Sequence, residues 1–231
     1  MLTPTRSLSA IVLLLSVGGC GPQAKVEAPQ LAPARQSTTP DATEAAQTSD
    51  KGQATPDQID QPTLPPISDQ AFRDAARDGE RSVIADAIER GIDINSPDQG
   101  GSTALMMAGY NGHTEIVKLL LKHNAQVNRR DANNRTALIY TASGKNPGAI
   151  AALLKAGAEV DVVDGGEGFT ALMFACAEGN LEVAKLLLKA GANPLLADED
   201  GETSIQFAAN NGHTEVVKYL ETEIAKIKAR N

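Results

Sequence analysis

The sequence predicts an all-α solenoid of about five helix-turn-helix units joined by β-turn finger loops, on three observations. Thr103-Ala104-Leu105, Thr136-Ala137-Leu138, Thr170-Ala171-Leu172 and Thr203-Ser204-Ile205 recur at spacings of 33, 34 and 33 residues. An apolar run of helical period closes each unit, and a single unit cannot bury it. The chain is 42% hydrophobic but only 3% aromatic, with no Trp. A compact globule takes much of its core volume from aromatics, whereas Ala, Leu, Ile and Val suit helices packed closely in pairs.

Ahead of the array, residues 1–19 read as an export signal. Arg6 supplies the positive charge, and the apolar run from Leu8 to Val17 is too short to span a bilayer core of ~30 Å. The run ends in Val17-Gly18-Gly19-Cys20. This resembles the bacterial lipobox, in which small residues precede a cysteine that becomes the lipidated first residue of the mature chain. The resemblance implies cleavage after Gly19, a diacylglyceryl thioether on Cys20 and acylation of the new amino terminus. The competing reading is an ordinary cleavage site beside a chance cysteine; the chain has only two cysteines, which favours the lipobox. Several acyl chains together anchor stably where one does not. Gly21 follows, with no Asp there, and the enterobacterial sorting rule then favours the outer over the inner membrane. The expected location is the bacterial cell envelope, facing the periplasm.

Residues 20–67 are expected to be a disordered tether. Eight of the twelve prolines fall here, from Pro22 to Pro66, among Gln, Thr, Ala, Ser and Asp. Such a stretch buries too little apolar surface to offset its ordering entropy. As a flexible coil of roughly 45 residues it spans about 35–40 Å.

The array is expected over 68–231, in units of about 68–98, 99–131, 132–164, 165–198 and 199–231. Thr at the start of each first helix caps free backbone N–H groups. The small pairs Ala108-Gly109, Thr141-Ala142, Ala175-Cys176 and Ala208-Ala209 let the next unit approach closely. Gly112, Gly179 and Gly212 suit the left-handed turn that ends a helix. Asp98, Asp131, Asp164 and Asp198 recur at one place in successive units and are expected to organise a turn. Unit one is divergent, with Ala75-Ala76-Arg77-Asp78-Gly79 before an apolar run from Val83 to Ile88. In unit three Lys145-Asn146-Pro147 replaces the usual Gly-His pair, and the second helix is expected to begin near Pro147. One extra residue within 164–168 is expected to enlarge a finger. The last helix runs on through Ile224 and Ile227, with Lys226, Lys228 and Arg230 suited to an exposed C-terminal end.

This pattern resembles the ankyrin-repeat family over about 160 residues, a period that chance rarely gives. The family's Thr-Pro-Leu-His becomes Thr-Ala-Leu-Met in two units, so its helix-starting proline and histidine hydrogen bonds are absent there. The resemblance implies that a protein partner binds the concave side, formed by finger tips and exposed first-helix positions. By position these are Gln99, Ser102, Tyr110 and Asn111; Ala132, Asn133, Arg135 and Ser143; Glu167, Phe169, Ala177 and Glu178; and Glu199, Asp200, Glu202, Asn210 and Asn211. Tyr110 and Phe169 stand out because aromatics are scarce here and are enriched at binding hot spots. For Phe169, packing within its own enlarged finger is an equal alternative.

Other functions find little support. A net charge of −8 and a pI near 4.9 argue against nucleic acid. His113 and His213 occupy a structural turn position, and Cys176 falls in a small-residue pair where a buried, inert thiol is expected. In Asp198-Glu199-Asp200-Gly201-Glu202 the Gly and Glu are misplaced for a calcium loop. No catalytic residue, metal, cofactor or small-molecule substrate is expected. The leading expectation is a membrane-tethered scaffold or regulator of a partner protein. An immunity-type inhibitor of a toxin, or an accessory protein for a periplasmic stress enzyme such as a catalase, is the alternative.

Overall fold

The computed structural model describes residues 67–229. The expected signal, Cys20 and nearly all of the tether lie outside the described residues. Those described form ten helices in five successive pairs. The first helices are α1 (Asp69–Asp78), α3 (Ala104–Tyr110), α5 (Ala137–Ala142), α7 (Ala171–Ala177) and α9 (Ser204–Asn210). The second helices are α2 (Arg81–Glu89), α4 (Thr114–Lys122), α6 (Pro147–Lys155), α8 (Leu181–Lys189) and α10 (Thr214–Lys228). First helices pack on first helices and second on second, so the units stack side by side.

Each boundary has a local cause. Thr103, Thr136 and Thr170 accept the N–H groups of Met106, Ile139 and Met173 at 3.5, 3.5 and 3.3 Å, and Ser68 does the same for Ala71 at 3.1 Å. α6 begins at Pro147, where a missing N–H costs nothing. Gly112, at φ +79°, closes the turn after α3, and the N–H of His113 returns to the carbonyl of Ala108 at 2.9 Å. Unit three lacks this left-handed residue, and its turn closes through the N–H groups of Ser143 and Gly144 on the carbonyl of Thr141, the latter at 3.1 Å.

The second helices bury the stripe that the sequence advertises. Ile116, Val117 and Leu120 are at most 2% exposed, with Leu119 and Leu121 packed at the margin. Burying each such side chain stabilises by about 1.5–3 kcal/mol, available only because a neighbour covers it. Between units, the small pairs allow close approach. A β-carbon on Gly109 would lie 2.2 Å from Thr141 Oγ1, so only glycine fits.

Polar staples join one unit to the next. Asn95, Asn128 and Asp161 side chains accept the N–H groups of Gln126, Glu159 and Asn193 at 2.8, 2.8 and 3.0 Å. His113 and His213 hold the preceding units, donating from Nε2 to the carbonyls of Arg77 and Ala177 at 2.8 Å. A carbonyl can only accept, so the proton sits on Nε2 in both. The final helix α10 runs for 15 residues against nine in the four other second helices. Its extra turns place Ile224 against the core.

Candidate functional site

The fingers and the exposed side of the first helices make one face. Hydrogen bonds and ring contacts between the two sets of residues fix it. Each finger is organised by its opening aspartate. Asp98 Oδ1 accepts the N–H groups of Gly100 and Ser102 at 2.9 and 2.8 Å, and Asp131 Oδ1 accepts those of Asn133 and Arg135 at 2.9 and 2.8 Å. Asp198 accepts from Glu202 at 2.7 Å. Asp164 instead reaches one residue further, to Phe169 at 3.0 Å, and also takes Gly168 at 3.0 Å. The extra residue therefore enlarges this finger, as its length requires.

Tyr110 and Tyr140 lie at the middle of the face. Their rings meet edge to face, 6.2 Å apart at 90°, and both remain half-buried. Tyr140 donates its hydroxyl to Asp131 Oδ2 at 2.7 Å. Burial, then this hydrogen bond, pushes the phenol up to about 12. The hydroxyl bond thus holds the ring, and the side chain stays half-buried. Arg135 sits beside it and is consumed by the buried carboxylate of Asp164 at 3.3 Å.

The sequence-predicted positions differ in exposure. Gln99, Asn111, Ala132, Asn133, Glu199, Asp200 and Asn210 are exposed, and Arg135, Ser143, Glu167, Glu178, Glu202 and Asn211 are half-buried. Three are not on the surface. Phe169 is 3% exposed because it folds onto α7 and α9, with ring centroids 5.6 Å from Phe174 and 5.3 Å from Phe207. The packing alternative is the one the structure shows. Ser102, at 8%, is tucked behind its own finger, and Ala177, at 6%, is covered in the stack. Asn111 and Asn211 have a structural task as well, donating to the carbonyls of Met107 and Phe207 at 2.9 and 2.8 Å.

Sequence reasoning missed Tyr140. A signal was present: Asp74, Met107, Tyr140, Phe174 and Phe207 stand at one position of successive units. Two of those side chains are half-buried apolar groups on the face, Met107 and Tyr140.

Among the described residues, no three His, Cys, Asp or Glu side chains come together as metal ligands. Cys176 is fully buried, and burial pushes its thiol up to about 12, far from the thiolate a nucleophile needs.

A family model described as ankyrin repeats, in three copies, matches residues 72–164 and 142–231. No curated protein matches the chain. Ankyrin repeats act in protein–protein interaction, and no catalytic family is indicated.

Proposed function

The chain belongs to the ankyrin-repeat family, and from that premise we propose that it is a lipid-anchored scaffold or regulator in a bacterial envelope. On this reading residues 1–19 are a signal peptide, Cys20 carries the lipid, residues up to 67 form the tether and 68–231 hold a periplasmic partner protein. The Val17-Gly18-Gly19-Cys20 motif supports the anchor, and the proline-rich composition supports the tether.

One observation carries the binding reading. In a chain only 3% aromatic, two tyrosines form an edge-to-face pair on the finger face, and both stay half-buried rather than covered. Fixed aromatic edges of this kind lose little conformational freedom on binding and dominate many interfaces.

Capture from a membrane extract tests both parts. The full chain is expected to retain a protein that a Tyr110→Ala/Tyr140→Ala variant loses, by about tenfold or more for hot-spot side chains. Equal capture by the variant removes this face from the interaction. Cys20→Ala is expected to move the chain from the membrane to the soluble fraction, and membrane association that survives it rules out the lipid anchor.

A further inference from the structure

The fingers are joined by a ladder of backbone hydrogen bonds, one rung between each pair. The N–H of Ala132 donates to the carbonyl of Gly100 at 2.8 Å, Gly165 to Asn133 at 2.7 Å and Glu199 to Glu167 at 3.0 Å. The acceptor is always the residue before the left-handed corner of the finger, at Gly101, Asn134 and Gly168. In the last finger that corner is Gly201, so the corresponding acceptor is the carbonyl of Asp200. It accepts from no N–H among the described residues and lies on an exposed residue. The ladder therefore ends on an unfilled acceptor, which an extended backbone can extend by one rung.

Charge at this end is of one sign. Glu167, Glu178, Glu199 and Asp200 form no ion pair among the described residues, and Glu202 is held only by Asn210 at 3.1 Å. No lysine or arginine occurs in the last two fingers or in α7 and α9. Of the cations near the middle of the array, Arg135 is neutralised by Asp164 and Arg130 by Glu159 at 3.0 Å, while Arg129 bonds only the neutral Gln126 at 3.4 Å. After Arg135 come Lys145, in the turn before α6, and Lys155, at the end of α6, then Lys185 and Lys189 on α8 in the same outer row of helices.

We propose that the partner presents an extended, lysine- or arginine-bearing segment that adds to the last finger. Its N–H bonds the Asp200 carbonyl and its cations meet Glu199, Asp200 and Glu167. This rests on the reading that the finger face binds protein, and it names the chemistry of what binds. The open carbonyl fixes register, whereas the carboxylates speed encounter and reject acidic segments. A compact acidic domain or a flat apolar patch fits neither feature.

A labelled peptide Lys-Val-Lys-Val-Lys-Val-Lys is the probe, titrated by fluorescence anisotropy into the full chain. It is expected to bind more tightly than its glutamate counterpart, and Glu199→Lys/Asp200→Lys is expected to weaken it by about tenfold at 0.05 M salt. A peptide with the same charges but alternate backbone nitrogens methylated is expected to bind severalfold less tightly, about the worth of one hydrogen bond. Both substituted residues are exposed, and an unchanged thermal melt shows the variant is folded. Equal binding by the charge-reversed variant, by the methylated peptide or by the glutamate peptide overturns the proposal. Tyr110→Ala/Tyr140→Ala separates it from the reading it rests on. A variant that loses the natural partner yet keeps the peptide supports both, and partner loss with no peptide binding anywhere sinks this inference alone.

Discussion

One column of the first helices runs Asp74, Met107, Tyr140, Phe174, Phe207, and its two halves meet different fates. Met107 and Tyr140 are half-buried, while Phe174 and Phe207 are 1% and 4% exposed. The helices are alike in length and capping, so helix geometry is not the cause. The difference lies in the finger residues that pack against this column. Ser102 is small and Arg135 turns to Asp164, but Phe169 lies across Phe174 and Phe207. The same column is therefore surface in one half and core in the other. A finger residue decides whether apolar helix positions stay on an open face or join a packed interior.

Removing the cover is the strongest way to break that contrast. Phe169→Ala takes out a buried ring with two edge-to-face partners, and the expected loss is about 3–5 kcal/mol in urea unfolding. Tyr110→Ala, which removes a half-buried ring from the open half, is expected to cost about 1 kcal/mol. Equal losses at the two sites would mean that both halves are core, and the division drawn here would fail.

The halves also differ in how neighbouring units interlock. In the open half Gly109 faces Thr141, whereas the same positions in the closed half are Cys176 and Ala208, both fully buried. A small residue opposite a larger one is used twice with the order exchanged. Gly109→Ala drives a methyl into Thr141 Oγ1 and is expected to destabilise by about 1–3 kcal/mol. Thr141 spends that hydroxyl on the carbonyl of Ala137 at 2.7 Å, so it cannot swing away freely. Thr141→Ala in the same chain is expected to restore part of the loss, giving a non-additive double-mutant cycle. Strict additivity would show that the two residues are not in contact.

Much of this was legible in the sequence because it is local or periodic. Thr caps, the Pro147 start, the aspartate turns and the enlarged finger each follow from a few adjacent residues. The fate of Phe169 did not follow in that way. Its burial depends on Phe207, 38 positions on, which belongs to the next unit. Tyr140 was missed for the mirror-image reason, since nothing local says that Arg135 will be drawn off to Asp164 and leave Tyr140 half-buried. Periodicity identified which positions are equivalent. It does not say which equivalents are covered, and that is where the candidate face is decided.

The smallest expected effect sharpens the contrast most finely, because it concerns how the open half holds its own aromatic. Tyr140→Phe keeps the ring and its contact with Tyr110 but removes the hydroxyl bonded to Asp131. Near neutral pH the expected cost is about 1 kcal/mol, discounted for the partial exposure of the pair. The folded phenol is raised to about 12 from an ordinary value of 10. Its contribution is therefore fully present below pH 10 and is lost as the pH rises towards 12. Cys176, raised to about 12 from 9 by burial, lowers stability over the same alkaline range. Both proteins carry that thiol, so its effect cancels in their difference. Urea unfolding of wild type and Tyr140→Phe between pH 7 and 11 is expected to show a gap that narrows above pH 10. A gap that stays constant would mean that the phenol titrates alike in the folded and unfolded chain, so that its hydroxyl is neither buried nor held by Asp131.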